Sequence, residues 1–324
     1  MGDGRWAMGD GRWAMGDGRW AMGDVNQGSL VVAHSRQLAR RQALGYESDV
    51  MFEYADDGLI LLGHGTTLNA ESAAPVYLHA AELRGHRGFK EVKEAFLKQP
   101  PELLSVLEGM TTRRVFVVPF FISEGYFSES VVPGMLGFEG ESRVGTVLGR
   151  SVVYCRPVGT HPAMTEVLLD RARQTVARFP FPRTPREKDI TLYIAGHGTG
   201  RSAESRKSVE TQVERIRAQG LYGAVEAVFM EEEPKILGCV ERAATKNVVV
   251  VPFFISDGLH VREDIPVLLG ESKAVVERRL AQGQSVWRNP SEKAGKRVWY
   301  TAAVGTDPLM TRVILERVRE AMLW

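Results

Sequence analysis

The sequence predicts an α/β protein made of two tandem copies of one domain, each a parallel β-sheet flanked by helices, with a cleft between them. Three observations carry this. Short apolar strands alternate with longer amphipathic stretches from Asp56 onward, the pattern of a parallel α/β sheet. Gly63-His64-Gly65-Thr66, Ala70-Glu71-Ser72 and VVPFFISEG (117–125) return as Gly196-His197-Gly198-Thr199, Ala203-Glu204-Ser205 and VVPFFISDG (250–258), all at one offset of 133 residues. VGTHPAMTEVLLDRAR (158–173) returns as VGTDPLMTRVILERVR (304–319), after an insertion in the second half around 271–300. Chance does not place four such matches in register.

Residues 1–56 form an N-terminal extension. It opens with MGDGRWA three times over, followed by MGD. Two glycines in every seven residues disfavour a helix, and one tryptophan per unit cannot build a core. A tandem duplication near a start codon, or a mis-called start, is the expected origin, and Met8, Met15 and Met22 would each serve as a start; the beginning of the segment is expected to be disordered. SRQLARRQALGYE within residues 25–55 fits one amphipathic helix.

The first domain is expected over 57–180. LILLG (59–63) reads as a strand, ESAAPVYLHAAELR (71–84) as a helix, VFVVPFFIS (115–123) and SVVYCRPVG (151–159) as strands, and 161–179 as the closing helix. Pro182, Pro185 and mixed charge mark 181–189 as a linker. The second domain is expected over 190–324. Its VVVVPFFIS run (248–256) is β-branched and aromatic throughout, as suits a strand buried on both faces. Ser256-Asp257-Gly258 breaks that run, and a short helix is expected to begin near Asp264-Ile265-Pro266.

Composition excludes several classes of function. Forty-one basic residues against forty acidic leave a formal charge of +1, so no bulk electrostatic case exists for nucleic acid. Cys155 and Cys239 are the only cysteines, which argues against a disulfide framework and for a reducing compartment. No apolar run approaches the roughly 20 residues of a membrane span, and no signal segment opens the chain. The expectation is a soluble, cytoplasmic protein.

The duplication acts as an internal alignment, and the copies differ where chemistry would sit. His197 matches His64, His260 matches Phe127, and Glu231, ending the strand-like VEAVFME, matches Lys98. Two imidazoles and a carboxylate at three strand ends of the second half form a donor set for a borderline divalent metal, and the carboxyl ends of parallel strands are where open α/β sheets bind ligands. The acidic run Glu231-Glu232-Glu233-Pro234 also matches an acidic helix start, and Glu232 and Glu233 read as only that.

These motifs resemble those of the class II tetrapyrrole chelatases, above all the CbiX-like sirohydrochlorin cobaltochelatases and the related ferrochelatases. GHG after a first strand, a strand ending in glutamate and PFF-S-DG-H-REDIP carry the resemblance, which covers about 57–324. It implies ATP-independent insertion of Co2+ or Fe2+ into sirohydrochlorin or a related tetrapyrrole, for cobalamin or siroheme biosynthesis, with no organic cofactor. It further implies that His197 and His260 are metal-binding and catalytic and that Glu231 is their acidic partner. The metal is a substrate, and the donor set also suits Ni2+ and Zn2+. Arg201, Arg262 and His64 are candidates for holding the carboxylate-rich tetrapyrrole. Thr199-Gly200-Arg201 departs from the serine-arginine that commonly follows GHG in the family. Because one chain carries both halves, a monomer is expected to suffice for the cleft. The rival reading is a non-catalytic carrier of metal or tetrapyrrole; a phosphoryl-transfer enzyme with a nucleophilic histidine ranks last, because Gly63 and Gly196 stand where such a motif needs arginine.

Overall fold

The computed structural model describes residues 14–16, 19–21, 54–66, 72–198 and 203–324. The expected helix in 25–55, and Arg201, lie outside the described residues. Two compact units are present, Met1–Glu53 and Tyr54–Trp324. In the first, β1 (Ala14–Gly16) pairs antiparallel with β2 (Arg19–Ala21).

The second unit holds both halves of the duplication. The first half runs β3 (Tyr54–Gly63), α1 (Ala74–His86), β4 (Phe89–Phe96), α2 (Leu103–Glu108), β5 (Arg114–Pro119), α3 (Val132–Leu136), β6 (Val144–Val147), β7 (Arg150–Tyr154) and α4 (Met164–Arg178). The second runs β8 (Ile190–Gly196), α5 (Ala203–Gln219), β9 (Ala224–Phe229), α6 (Cys239–Arg242), β10 (Asn247–Pro252), α7 (Ile265–Leu268), α8 (Lys273–Ala281), β11 (Ser291–Lys293), β12 (Lys296–Tyr300) and α9 (Met310–Ala321). The two sheets have the same order, β4-β3-β5-β7-β6 and β9-β8-β10-β12-β11. Four strands of each are parallel; the fifth, β6 or β11, is an antiparallel edge of only four or three residues, too short for the sequence pattern to reveal. α8 has no counterpart in the first half and belongs to the insertion.

Val248 to Val251 are fully buried in β10, as expected of a central strand, each contributing roughly 1.5–3 kcal/mol. The strands end earlier than the apolar runs do. β5 stops at Pro119 and β10 at Pro252, because a proline brings no N–H to the ladder and the chain turns away beyond it. β7 likewise stops at Tyr154, and Val158–Thr160 form a 3-10 turn.

The halves exchange their last helices. α4 packs across β10 and β12 of the second sheet, and α9 against β5 of the first. In α9, Met310, Val313, Ile314, Arg317, Val318 and Ala321 are buried at helical spacing, so a continuous stripe faces the exchanged partner. The polar contacts across this junction obey the same pseudo-twofold relation as the sequence. His79 Nε2 lies 2.7 Å from the Gly305 carbonyl and its Nδ1 3.0 Å from Thr311 Oγ1. Gln212, the counterpart of His79, reaches Thr165 Oγ1 at 2.7 Å and donates to the carbonyls of Gly159 and His161. Arg171 donates to Thr306 and pairs with buried Asp307 at 3.2 Å, while its counterpart Arg317, only 3% exposed, donates to Thr160 Oγ1 and the Pro157 carbonyl. Glu82 completes the network. Burial pushes its carboxyl up, but hydrogen bonds with His79, His86 and Thr311 hold it far below the usual carboxylate range.

His161 and Asp307 occupy equivalent positions and titrate in opposite senses. Burial, reinforced by the Arg317 cation, pushes the His161 imidazole down to about 4. Burial pushes the Asp307 carboxyl up to about 6 against the pull of Arg171. A folded histidine with a depressed pKa binds fewer protons than the unfolded chain, so its contribution is present above about 6.5 and lost as pH falls towards 4. Asp307 acts the other way, its contribution being lost as pH rises through about 6. Comparing His161→Asn with the parent isolates the first effect. Between pH 7 and 5, urea unfolding should show the parent losing about 1 kcal/mol more than the variant, after allowance for solvent screening of a partly exposed ring. Parallel pH profiles would refute this.

Candidate active site

The site forms where β8, β9 and β10 reach their carboxyl ends. β8 delivers Gly196 and then His197, and Gly198 turns the chain at φ +64°. No other residue fits at 198: a Cβ there would stand 2.7 Å from Glu232 Cγ and 2.8 Å from Phe229 Cβ. Glu231 lies two residues past β9, and its backbone N–H donates to the His197 carbonyl at 3.2 Å. Its carboxylate lies 3.8 Å from His197 Nε2.

His260 does not stand on a loop before a helix, as the sequence suggested. It opens a π-type turn, His260–Asp264, that runs directly into α7, so the helical segment begins four residues earlier than expected. Its ring meets that of His197 edge to face, with centroids 4.9 Å apart. This turn also supplies a residue the sequence reading missed. Asp264 Oδ2 accepts a hydrogen bond from His260 Nδ1 at 2.7 Å, one turn along the same segment. The signal was present as a histidine and an aspartate four apart on one helical face, and Val131 stands at the equivalent place in the first half. Glu231-Glu232-Glu233 does not begin a helix; α6 starts only at Cys239, and Glu232 instead pairs with Arg206 at 3.5 Å.

Hydrogen-bond partners assign the tautomers. His197 Nδ1 lies 3.1 Å from the Gly198 carbonyl and His260 Nδ1 faces the Asp264 carboxylate, both of which only accept. In the neutral form of each ring the proton therefore sits on Nδ1, which leaves the Nε2 lone pair for a metal or a proton. As they stand, no three His, Cys, Asp or Glu side chains among the described residues enclose a metal-sized space. The arrangement is an open cluster of donors and bases, not a closed structural cage.

The first half keeps the scaffold and loses the chemistry. His64 Nδ1 makes the same 3.1 Å contact to Gly65, and the Lys98 N–H donates to the His64 carbonyl as Glu231 does to His197. The His64 ring instead packs edge to face on Phe127 at 4.7 Å, and Lys98 Nζ lies 5.1 Å over that phenyl ring. Burial, helped by the Lys98 cation, holds His64 below the ordinary imidazole range despite its Gly65 carbonyl partner. Arg262, on the same turn as His260, lines a cavity together with Arg171, Arg178 and Arg288.

A duplicated parallel α/β scaffold with two imidazoles and two carboxylates on the loops and turn that follow the strands of one half has the donor set of a metal-handling protein. Comparison with known proteins identifies the family. The CbiX family model matches residues 58–175 and again 191–321, and the chain belongs to the CbiX family. A Halobacterium salinarum protein described as a probable sirohydrochlorin cobaltochelatase is 37% identical over 278 residues, spanning 81% of this chain and 91% of its own. A Methanopyrus kandleri sirohydrochlorin cobaltochelatase is 29% identical over 140 residues, which is 97% of its length but 41% of this chain. Among solved structures, a multi-domain Deinococcus radiodurans protein described as similar to chelatases superposes with a TM-score of 0.66 at 30% identity, covering 82% of this chain and 55% of its own. Bacillus subtilis SirB with Fe3+ shares the fold, with a TM-score of 0.58 at 16% identity over 82% of this chain and 95% of its own.

Proposed function

We propose that this protein is an ATP-independent chelatase that inserts Co2+ or Fe2+ into sirohydrochlorin, for cobalamin or siroheme synthesis. The observation that carries the reading is the asymmetric pairing of His197 with His260, flanked by Glu231 and Asp264, in one half of a chain 37% identical to a probable sirohydrochlorin cobaltochelatase.

Insertion requires the incoming ion to exchange water for ring nitrogens and two pyrrole N–H protons to leave. The His197 and His260 Nε2 atoms serve both needs: they would bind the incoming ion as neutral imidazoles, and once the ion passes to the ring nitrogens a freed Nε2 would take up the two pyrrole protons in turn, handing each on to solvent. Asp264 keeps the proton on Nδ1 of His260, orients the ring and stabilises the imidazolium once Nε2 is protonated. Glu231 offsets the charge of the ion and passes the proton outward, in keeping with its exposed position. The open cluster suits an ion that must be released into the macrocycle. Both halves lie in one compact unit, which supports a site built within a single chain.

Anaerobic mixing of the protein with metal-free sirohydrochlorin and Co2+, Fe2+, Ni2+ or Zn2+ in turn, followed by absorption spectroscopy, tests the reading. Co2+ or Fe2+ insertion should exceed the spontaneous rate at least about 100-fold without ATP, roughly the smallest effect a positioned base supplies. Tight binding of metal or tetrapyrrole with no acceleration would make the protein a carrier instead.

A further inference from the structure

A cavity of about 920 Å³ is bounded by α4 of the first half, by Val261 and Arg262 of the π-type turn, and by the inserted segment of the second half. Its size is that of a small-molecule site. Four arginines line it: Arg171 and Arg178 from α4, Arg262 from the turn, and Arg288 from the insertion. Asp257 is its one acidic residue, and Asp257 Oδ1 already accepts the Ala303 N–H at 2.7 Å. Arg171 is held by Asp307, whereas Arg178, which lies over the Phe179 ring, and Arg262 and Arg288 make no ion pair among the described residues. Buried Trp287 forms an apolar part of the wall.

The first half contains the equivalent cavity, about 580 Å³, and its charge is inverted. Glu129 stands where the second half has Arg262, Trp324 where α4 has Arg178, and Glu124 and Glu141 add further negative charge beside Arg143 and Arg156. Generic surface composition would not separate two copies of one scaffold in this way. The inserted segment, absent from the first half, brings both Arg288 and Trp287 to the basic cavity.

We infer that this arginine-lined cavity binds an organic polycarboxylate, its guanidinium groups pairing with carboxylates and Trp287 meeting the carbon framework. Planar, permanently charged guanidinium forks suit carboxylates, and a rim with three unpaired cations attracts a multiply charged anion over long range. Two sources present this chemistry: the acidic side chains of a bound tetrapyrrole, or a free small tricarboxylate. The cavity argument stands apart from the insertion reaction; only its assignment to the tetrapyrrole rests on the function proposed above.

Calorimetric titration of the full chain, without metal, with sirohydrochlorin and separately with tricarballylate distinguishes the two. Arg178 and Arg288 are exposed, so Arg178→Glu/Arg288→Glu should fold, as the melting temperature will report, and Arg178→Gln/Arg288→Gln gives a milder step. The charge reversal should weaken the occupant at least tenfold, the neutral pair should fall between, and parent affinity should drop between 50 and 300 mM salt. Loss confined to sirohydrochlorin assigns the cavity to the tetrapyrrole; loss confined to tricarballylate makes it a separate small-anion site. Changes below twofold for both probes, or binding of neither by the parent, overturn the inference. Titration with Co2+ alone, against His260→Ala, reads the histidine site independently, so failure there leaves the anion result interpretable.

Discussion

His260→Ala and His197→Ala are each expected to slow metal insertion by roughly 100-fold or more while leaving the melting temperature nearly unchanged. Both rings are at least partly exposed, so truncation removes donors without opening a core cavity. The size of the loss follows from the double duty proposed for these imidazoles. A positioned base supplies about 10²–10⁴ in rate, and removal of one nitrogen ligand weakens metal capture as well. Asp264→Asn keeps the shape but removes the carboxylate charge, and should cost roughly tenfold, the lower end for partners of ligating histidines. Co2+ titration should show one tight site per chain, lost in His260→Ala and kept in His64→Ala, because Phe127 and Lys98 leave His64 without a second donor. Near-parental activity in either histidine variant, or two equivalent tight sites, would sink this assignment.

Gly305→Ala is expected to destabilise the fold by more than about 3 kcal/mol, and Gly159→Ala by a similar amount. A Cβ on Gly305 would lie 1.7 Å from the Ile255 carbonyl oxygen, and one on Gly159 2.1 Å from that of Ile122. Both obstacles are backbone atoms, so no side chain can swing aside. The glycines sit in 3-10 turns pinned to the loops that follow β10 and β5, with Val304 N–H donating to the Phe254 carbonyl and Gly159 N–H to that of Phe121. Moving the Gly305 turn also moves its carbonyl, which accepts from His79 of the other half. Urea unfolding of Gly305→Ala against the parent measures the effect. A loss below about 1 kcal/mol would mean that the β10 loop yields far more easily than close-packed backbone should.

How much of this was legible beforehand differs between residues for identifiable reasons. A parallel α/β scaffold in two copies was readable because burial on both faces demands continuous apolar strands, and a duplication leaves the same words in the same register. The pairing of His197 with His260 was readable for a related reason: two copies of one scaffold place equivalent positions in equivalent surroundings, so a difference between them marks chemistry. Asp264 escaped because periodicity does not separate a π-type turn from the loop before a helix, and only the turn brings it beneath His260. Glu231 carried two readings until the backbone bond to His197 placed it beside the ring and no helix was found to begin there. Arg262 was a candidate for the tetrapyrrole carboxylates because it follows His260 closely in sequence; only the folded chain shows that it lines a cavity together with Arg171, Arg178 and Arg288.

By itself, then, the sequence determined the fold class, the duplication and which half keeps the imidazole pair, since each of these is written in local pattern or in comparison of one copy with the other. Tertiary structure alone decided the exchange of α4 and α9, the buried His79, Gln212, Arg171 and Arg317 contacts that join the halves, and the opposite charge of the two equivalent cavities. Those contacts link residues from 47 to more than two hundred positions apart. No local period encodes such pairings; they follow from which helix covers which sheet, and that is settled by shape and burial across the whole chain.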